Sequence, residues 1–205
     1  MYLYPLWIRL WHILNALSVI VLIITGITML FGDNTLSSIG EEQPAVVRWH
    51  NIAAVILTLG YVIFVTGNII TDNGKHYRIK TMTDISGTGE MMKYYLSGIF
   101  HGRTNPFKIS FDQKFNPLQK IIYFKTMYVV MPLLILSGIA LMLSEERAQA
   151  VFGINGQLIT DIVHIFMGSI VTVFLIIHIC MSTIFSGGKA HMRAVITGFS
   201  EADED

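Results

Sequence analysis

The sequence predicts an all-α integral-membrane protein, a bundle of four transmembrane helices with one further amphipathic helix at the membrane interface. Three observations predict it. The 205 residues are 53% hydrophobic and only 14% charged, with a mean hydropathy of +0.58, well beyond an ordinary water-soluble domain. Apolar runs long enough to cross about 30 Å of hydrocarbon occupy residues 8–31, 47–71, 119–143 and 157–185. Lysines and arginines gather on alternate sides of these runs, as the positive-inside rule requires of a multi-pass chain.

Each element has its own local signals. The first run opens with LWIRLWHILNAL, which carries one arginine, no basic leader region and no small-residue cleavage site, so it reads as a retained span. FGDNTLSSIGEEQP follows as a turn-rich outer loop. The central segment 72–118 contains DISGTGEMMKYYLSGIFHG, in which Met91, Tyr94, Tyr95 and Phe100 alternate with polar residues, the pattern of a helix along the inner membrane surface. The third span begins at FNPLQKIIYF, where Asn116-Pro117 suits a helix start. Pro132 inside that span predicts a kink, because its ring and missing N–H disturb the preceding turn. SEADED closes the chain as a solvated acidic tail.

Cationic residues lie before span one (Arg9), in the central loop (Lys75, Arg78, Lys80, Lys93, Arg103, Lys108, Lys114, Lys120) and after span four (Lys189, Arg193). Both termini and the central loop are therefore expected in the cytoplasm, with residues 1–205 forming a single domain of the inner membrane. No nucleic-acid partner is expected. TGITML at 25–30 and SGIALML at 137–143 echo each other in spans one and three. Either a two-helix duplication or the common use of small residues for close helix approach would produce this echo.

Span four reads DIVHIFMGSIVTVFLIIHIC and carries His164 and His178. Fourteen residues rise about 21 Å along an α-helix and return to within about 40° of the same face, so these imidazoles face one way at two depths. They are too far apart to share one metal ion. Span one runs outward with His12 near its inner end, and span two runs inward with His50 near its outer end. The depths match as His12 with His178 and His50 with His164; crossed pairs would stretch across much of the bilayer. Cys180 is the only cysteine, which excludes an internal disulfide, a CxxCH attachment site and an iron–sulfur cluster held by this chain alone. Two imidazoles from facing membrane helices fit the axial positions of haem b, and hence two haems b. Interhelical hydrogen bonding or a proton pathway is the alternative. Arg9, one turn before His12, and Arg48, two residues before His50, are candidates for the haem propionates. Gly26, Gly60, Gly138 and Gly168 would give clearance to a macrocycle or serve helix packing.

PLWIRLWHILNAL, RWHNIAA, KFNPLQKIIYF and HMRAVITGF together resemble the di-haem cytochrome b subunits of membrane oxidoreductases. That family includes the formate dehydrogenase gamma subunit and nickel–iron hydrogenase cytochrome b, and the similarity is greatest to its thiosulfate reductase cytochrome b branch. The resemblance spans nearly the whole chain. It implies four haem-ligating histidines, carried onto His12, His50, His164 and His178, and a menaquinone or ubiquinone site near the inner haem. Asn116, Gln119, His76 and His191 are candidate quinone contacts, with helix capping or headgroup contact as their alternative roles. His101 reads as a surface or interfacial residue.

The expected function is electron transfer between the quinone pool and an outer-face redox partner. The soluble loops are too small to hold a terminal catalytic centre, so that centre is expected in another subunit: a multihaem c-type cytochrome, an iron–sulfur protein or a molybdenum protein. The chain itself would be the quinone-reactive subunit of an oxidoreductase complex, touching its partner around residues 32–48 and 144–156. Two other readings remain open: a stand-alone quinone-linked haem b oxidase or reductase, and a haem-free membrane anchor or transporter using buried histidines.

Overall fold

The computed structural model describes residues 2–31, 45–79, 82–107, 114–143, 156–185 and 189–199. The loop after span one, expected on the outer side, the segment 144–155 and the acidic tail lie outside the described residues. In chain order the helices are α1 (Leu6–Phe31), α2 (Ala45–Ile70), α3 (Met82–Leu96), α4 (Pro117–Lys125), α5 (Met131–Leu143), α6 (Gly156–Cys180) and α7 (Lys189–Thr197). Short 3-10 turns follow α2 at Asp72–Tyr77 and α3 at Gly98–His101, and π turns cover Thr126–Val130 and Met181–Phe185. Among the described residues the one β feature is an isolated bridge between Tyr2 and Phe199.

Among the described residues, four stretches are long and apolar enough to cross a membrane: Leu6–Phe31, Ala45–Ile70, Pro117–Leu143 and Gly156–Thr183. They match the four runs read from hydropathy to within about two residues at each end, the usual uncertainty of a helix boundary. Their burial pattern is that of a protein dissolved in lipid. On α1, Leu10, Leu17 and Ile24 stand out at 58%, 59% and 61% exposure, while Ser18 and Thr25 are buried. A hydroxyl can face the inside because it gives its proton to its own helix: Ser18 Oγ donates to the Leu14 carbonyl at 2.9 Å and Thr25 Oγ1 to that of Val21 at 2.7 Å.

The third span starts as its sequence predicts. Asn116 Oδ1 accepts from the Gln119 backbone N–H at 2.8 Å, and Gln119 Oε1 accepts from that of Asn116 at 3.2 Å. This reciprocal capping box, with Pro117 in the first turn, satisfies two donors that a helix start otherwise leaves bare. The disturbance expected at Pro132 takes the form of the π turn Thr126–Val130. Without an N–H, Pro132 cannot serve the Tyr128 carbonyl, and the ladder widens by one residue just before it. The amphipathic segment is helical as α3 but stops at Leu96; a 3-10 turn carries on to Gly102, whose φ of 67° favours glycine.

The chain folds as two compact units, one of Met1–Arg9, Thr66–Val130 and Val173–Asp205, the other of Leu10–Val65 and Met131–Thr172. In the first, α3 packs on α4 with Gly87 against Pro117, and Asn116 Nδ2 donates to the Tyr95 hydroxyl at 3.0 Å. Its two chain ends are tied together, because the N–H groups of Leu3 and Tyr4 share the Gly198 carbonyl at 2.9 and 3.2 Å. In the second unit, Trp11 stacks on the fully buried Phe64, with ring centroids 4.3 Å apart, and Gly60 lies beside the indole.

Gly198 has φ of 84°, and a Cβ there would lie 2.6–2.7 Å from Tyr2, Arg9 and the Tyr4 carbonyl. Gly198→Ala therefore combines left-handed strain, on the order of 1–3 kcal/mol, with a steric clash. Gly102→Ala meets only the strain, since nothing lies within 4 Å of its added Cβ. Melting in detergent should show a drop of about 2–10 °C for Gly198→Ala and a smaller one for Gly102→Ala.

Candidate cofactor site

His50 on α2 and His164 on α6 belong to the same unit, and their ring centroids are 6.3 Å apart with planes at 68°. That distance discriminates between kinds of site. Two imidazoles bound on opposite sides of one metal ion, with bonds of about 2.0 Å, have ring centroids about 6.2 Å apart, whereas two ligands of a tetrahedral ion have them about 5.1 Å apart. The observed separation lies close to the first of these values, and the meeting of His50 with His164 is the pairing that matched helix depth led us to expect.

A hydroxyl holds each ring. Thr25 Oγ1 is 2.8 Å from His50 Nδ1, and Ser137 Oγ is 3.1 Å from His164 Nδ1. Both hydroxyls already give their proton to a carbonyl of their own helix, Thr25 to Val21 and Ser137 to Leu134 at 3.0 Å. A glycine follows each hydroxyl. A Cβ on Gly26 would lie 3.6 Å from His50 Cε1, and one on Gly138 would lie 3.1 Å from His164 Cε1. Gly138 thus makes room for an imidazole edge, a Cβ on Gly26 would meet its imidazole at ordinary contact distance, Gly60 faces Trp11 and Gly168 faces Leu134.

The second histidine pair is divided between the two units. His12 lies half-buried on α1 in the unit that holds His50, and His178 lies near the end of α6 in the other. His178 stacks on Phe174 at 5.7 Å, and its Nδ1 is 3.3 Å from the Tyr123 hydroxyl. Arg9 is half-buried, and its Nε is buried with no hydrogen-bond partner among the described residues. Such a donor suits an anion. Arg48 is exposed at the start of α2. Trp11 Nε1 and Asn15 Oδ1, one turn apart beside His12, are also buried without a partner among the described residues; the sequence did not single them out.

Of the candidate quinone contacts, Asn116 and Gln119 form the capping box, and Asn116 also holds Tyr95. His76 is buried in the 3-10 turn after α2. The His191 side chain lies outside the described residues. Beside His76 runs a hydrogen-bonded chain that the sequence did not reveal. Lys114 Nζ donates to Asn73 Oδ1 at 3.4 Å, Asn73 Nδ2 to Asn68 Oδ1 at 2.7 Å, and Asn68 Nδ2 to the Tyr128 hydroxyl at 3.2 Å. Isolated amides carry no periodic signal, so only the fold brings them together.

A model of the family described as prokaryotic cytochrome b561 matches residues 3–198 of the chain. The chain is similar to the Escherichia coli (strain K12) protein named "Putative cytochrome YdhU", with 28% identity over 199 residues covering 97% of this chain and 74% of that protein. No solved structure matches.

Burial, and then the nearby Lys75 ammonium, push Lys114 down to about 8. The unfolded chain keeps its lysine protonated up to about 10.4. Between these values the unfolded state binds more protons, so stability rises with pH through that window. Methyl-labelled Lys114 should titrate near 8 by NMR, and Lys75→Gln should move its midpoint upward.

Proposed function

The chain belongs to the prokaryotic cytochrome b561 family, integral-membrane electron-transfer cytochromes that bind haem b, and from that premise we propose that it carries two haems b linking a membrane quinone pool to a redox partner. The observation that carries this reading is the approach of two imidazoles from separate spans, with the His50 and His164 ring centroids 6.3 Å apart, a separation that would suit two ligands of one haem iron. Helix depth supports His12 and His178 as the second pair. When bound, haem b supplies reversible one-electron exchange at its iron.

The protein's own groups orient and tune. His50 and His164 would hold the outer haem, His12 and His178 the inner one, and Arg9 would pair with a propionate. The polar chain from Lys114 through Asn73 and Asn68 to Tyr128, beside His76, offers hydrogen bonds suited to the carbonyl oxygens of menaquinone or ubiquinone. Lys114 Nζ, with its pKa lowered to about 8, can hold a proton at the loop end of that chain and release it near neutral pH. The π turn at Thr126–Val130 presents Tyr128 to it, a use of π geometry common at functional sites. The charge distribution supports an inner-membrane location with both termini cytoplasmic. The partner would then be an outer-face redox subunit: a multihaem c-type cytochrome, an iron–sulfur protein or a molybdenum protein.

A pyridine-haem count on the purified protein, together with identification of whatever co-purifies, tests the proposal. Two haems per chain are expected. His50→Ala and His164→Ala should each leave about one and remove the same spectral component, while His12→Ala and His178→Ala remove the other. Loss of one common haem from His12→Ala and His164→Ala would overturn the pairing, and a lone chain that turns over an outer acceptor would sink the subunit reading.

A further inference from the structure

Two hydroxyls treat two histidines in the same way. In each helical pair a hydroxyl–glycine step on the first helix, Thr25-Gly26 or Ser137-Gly138, meets a histidine on the second helix, 25 or 27 residues later. We infer that Thr25 and Ser137 are positioning residues that fix the tautomer of His50 and His164 and raise the electron-donating strength of both toward the iron between them. The inference rests on the reading of this pair as the axial ligands of the outer haem.

A serine or threonine hydroxyl has one proton and two lone pairs. Thr25 gives its proton to the Val21 carbonyl at 2.7 Å, so it turns a lone pair toward His50 Nδ1 at 2.8 Å. Ser137 gives its proton to Leu134 at 3.0 Å and turns a lone pair toward His164 Nδ1 at 3.1 Å. With the hydroxyl protons so placed, each Nδ1 carries the ring proton, which leaves the lone pair on Nε2. With the opposite tautomer, lone pairs would face each other in a low-dielectric interior. Glycine at the next position is part of the device, because a Cβ at Gly138 would press on His164 Cε1 at 3.1 Å.

An imidazole that donates from Nδ1 is a stronger base at Nε2 and favours the oxidised, more positive iron. Outer-shell partners of this kind are worth about 10–100-fold in metal affinity. A tenfold loss confined to the oxidised form raises a one-electron potential by about 59 mV.

The test uses the full chain in its membrane, with Thr25→Val and Ser137→Ala each followed by optical redox titration and by paramagnetic resonance of the oxidised haem. Thr25→Val keeps the β-branched shape and removes the hydroxyl, its bond to the Val21 carbonyl included. The potential of the outer haem should rise in each variant by on the order of 59 mV, for a tenfold effect, with its ligand-field signature altered and the other haem unchanged. Thr25→Ser and Ser137→Thr should restore both readouts. If a variant instead loses the haem, recovery in the corresponding hydroxyl swap supports the inference and failure to recover overturns it. Retention of the haem with unchanged potential and resonance in both variants also overturns it, while leaving the ligand assignment intact. If His50→Ala and His164→Ala do not remove the component being titrated, the ligand assignment falls and takes this inference with it.

Discussion

A side-chain hydroxyl inside a membrane has one proton to give, and where it gives that proton decides what it can do for its neighbours. In α1 and α5 the proton goes back to the helix that carries the hydroxyl, from Thr25 to Val21 and from Ser137 to Leu134. The helix thereby satisfies the polar group in a medium that offers no water. The same bond converts the hydroxyl into an acceptor aimed across the helix interface, where an imidazole N–H can meet it. Thr25 and Ser137 lie against His50 Nδ1 and His164 Nδ1 in this way, at 2.8 and 3.1 Å.

The rest of the bundle is arranged so that such groups can sit inside. Leu10, Leu17 and Ile24 take the exposed face of α1, and the hydroxylated Ser18 and Thr25 are buried alongside Ile8 and Val19. This ordering is the reverse of a water-soluble helix, whose apolar stripe turns inward. It follows from the solvent, because lipid rewards apolar exposure no less than protein contact does, and close approach at small residues becomes the main source of packing. Gly67 illustrates the closeness: a Cβ there would stand 2.7 Å from the Trp7 ring.

Much of this was legible in the sequence. Hydropathy marks the spans because the bilayer imposes a length that no loop imitates. The 14-residue separation of His164 and His178 could be converted to depth because helical rise is fixed, and the meeting of His50 with His164 follows from it. Asn116-Pro117 was legible as a helix start because capping is local. The echo between TGITML and SGIALML was visible, but its meaning was not. A threonine bonded to its own helix looks the same in sequence whether or not its lone pair serves a histidine 25 residues away. The Lys114–Asn73–Asn68–Tyr128 chain was not legible at all, since it joins a loop, a 3-10 turn, a helix end and a π turn, and no period links them. The π turn itself was read only as a kink at Pro132, because a proline reveals a broken hydrogen bond and not how the ladder closes around it.

The hydroxyl–glycine–histidine arrangement is repeated in the two helical pairs. Each pair, α1 with α2 and α5 with α6, contains its imidazole together with a hydroxyl against Nδ1. Neither Nδ1 is left bare in an apolar interior, where an unmet polar atom is costly. The contrast with His178 is chemical. Its Nδ1 meets the Tyr123 hydroxyl at 3.3 Å, and a phenol has no helix carbonyl one turn back to take its proton, so it can donate as readily as accept. Two imidazoles on one helix thus meet hydroxyls of different kinds, and hydroxyls that differ in this way would tune two histidine-held cofactors differently if both are bound as proposed.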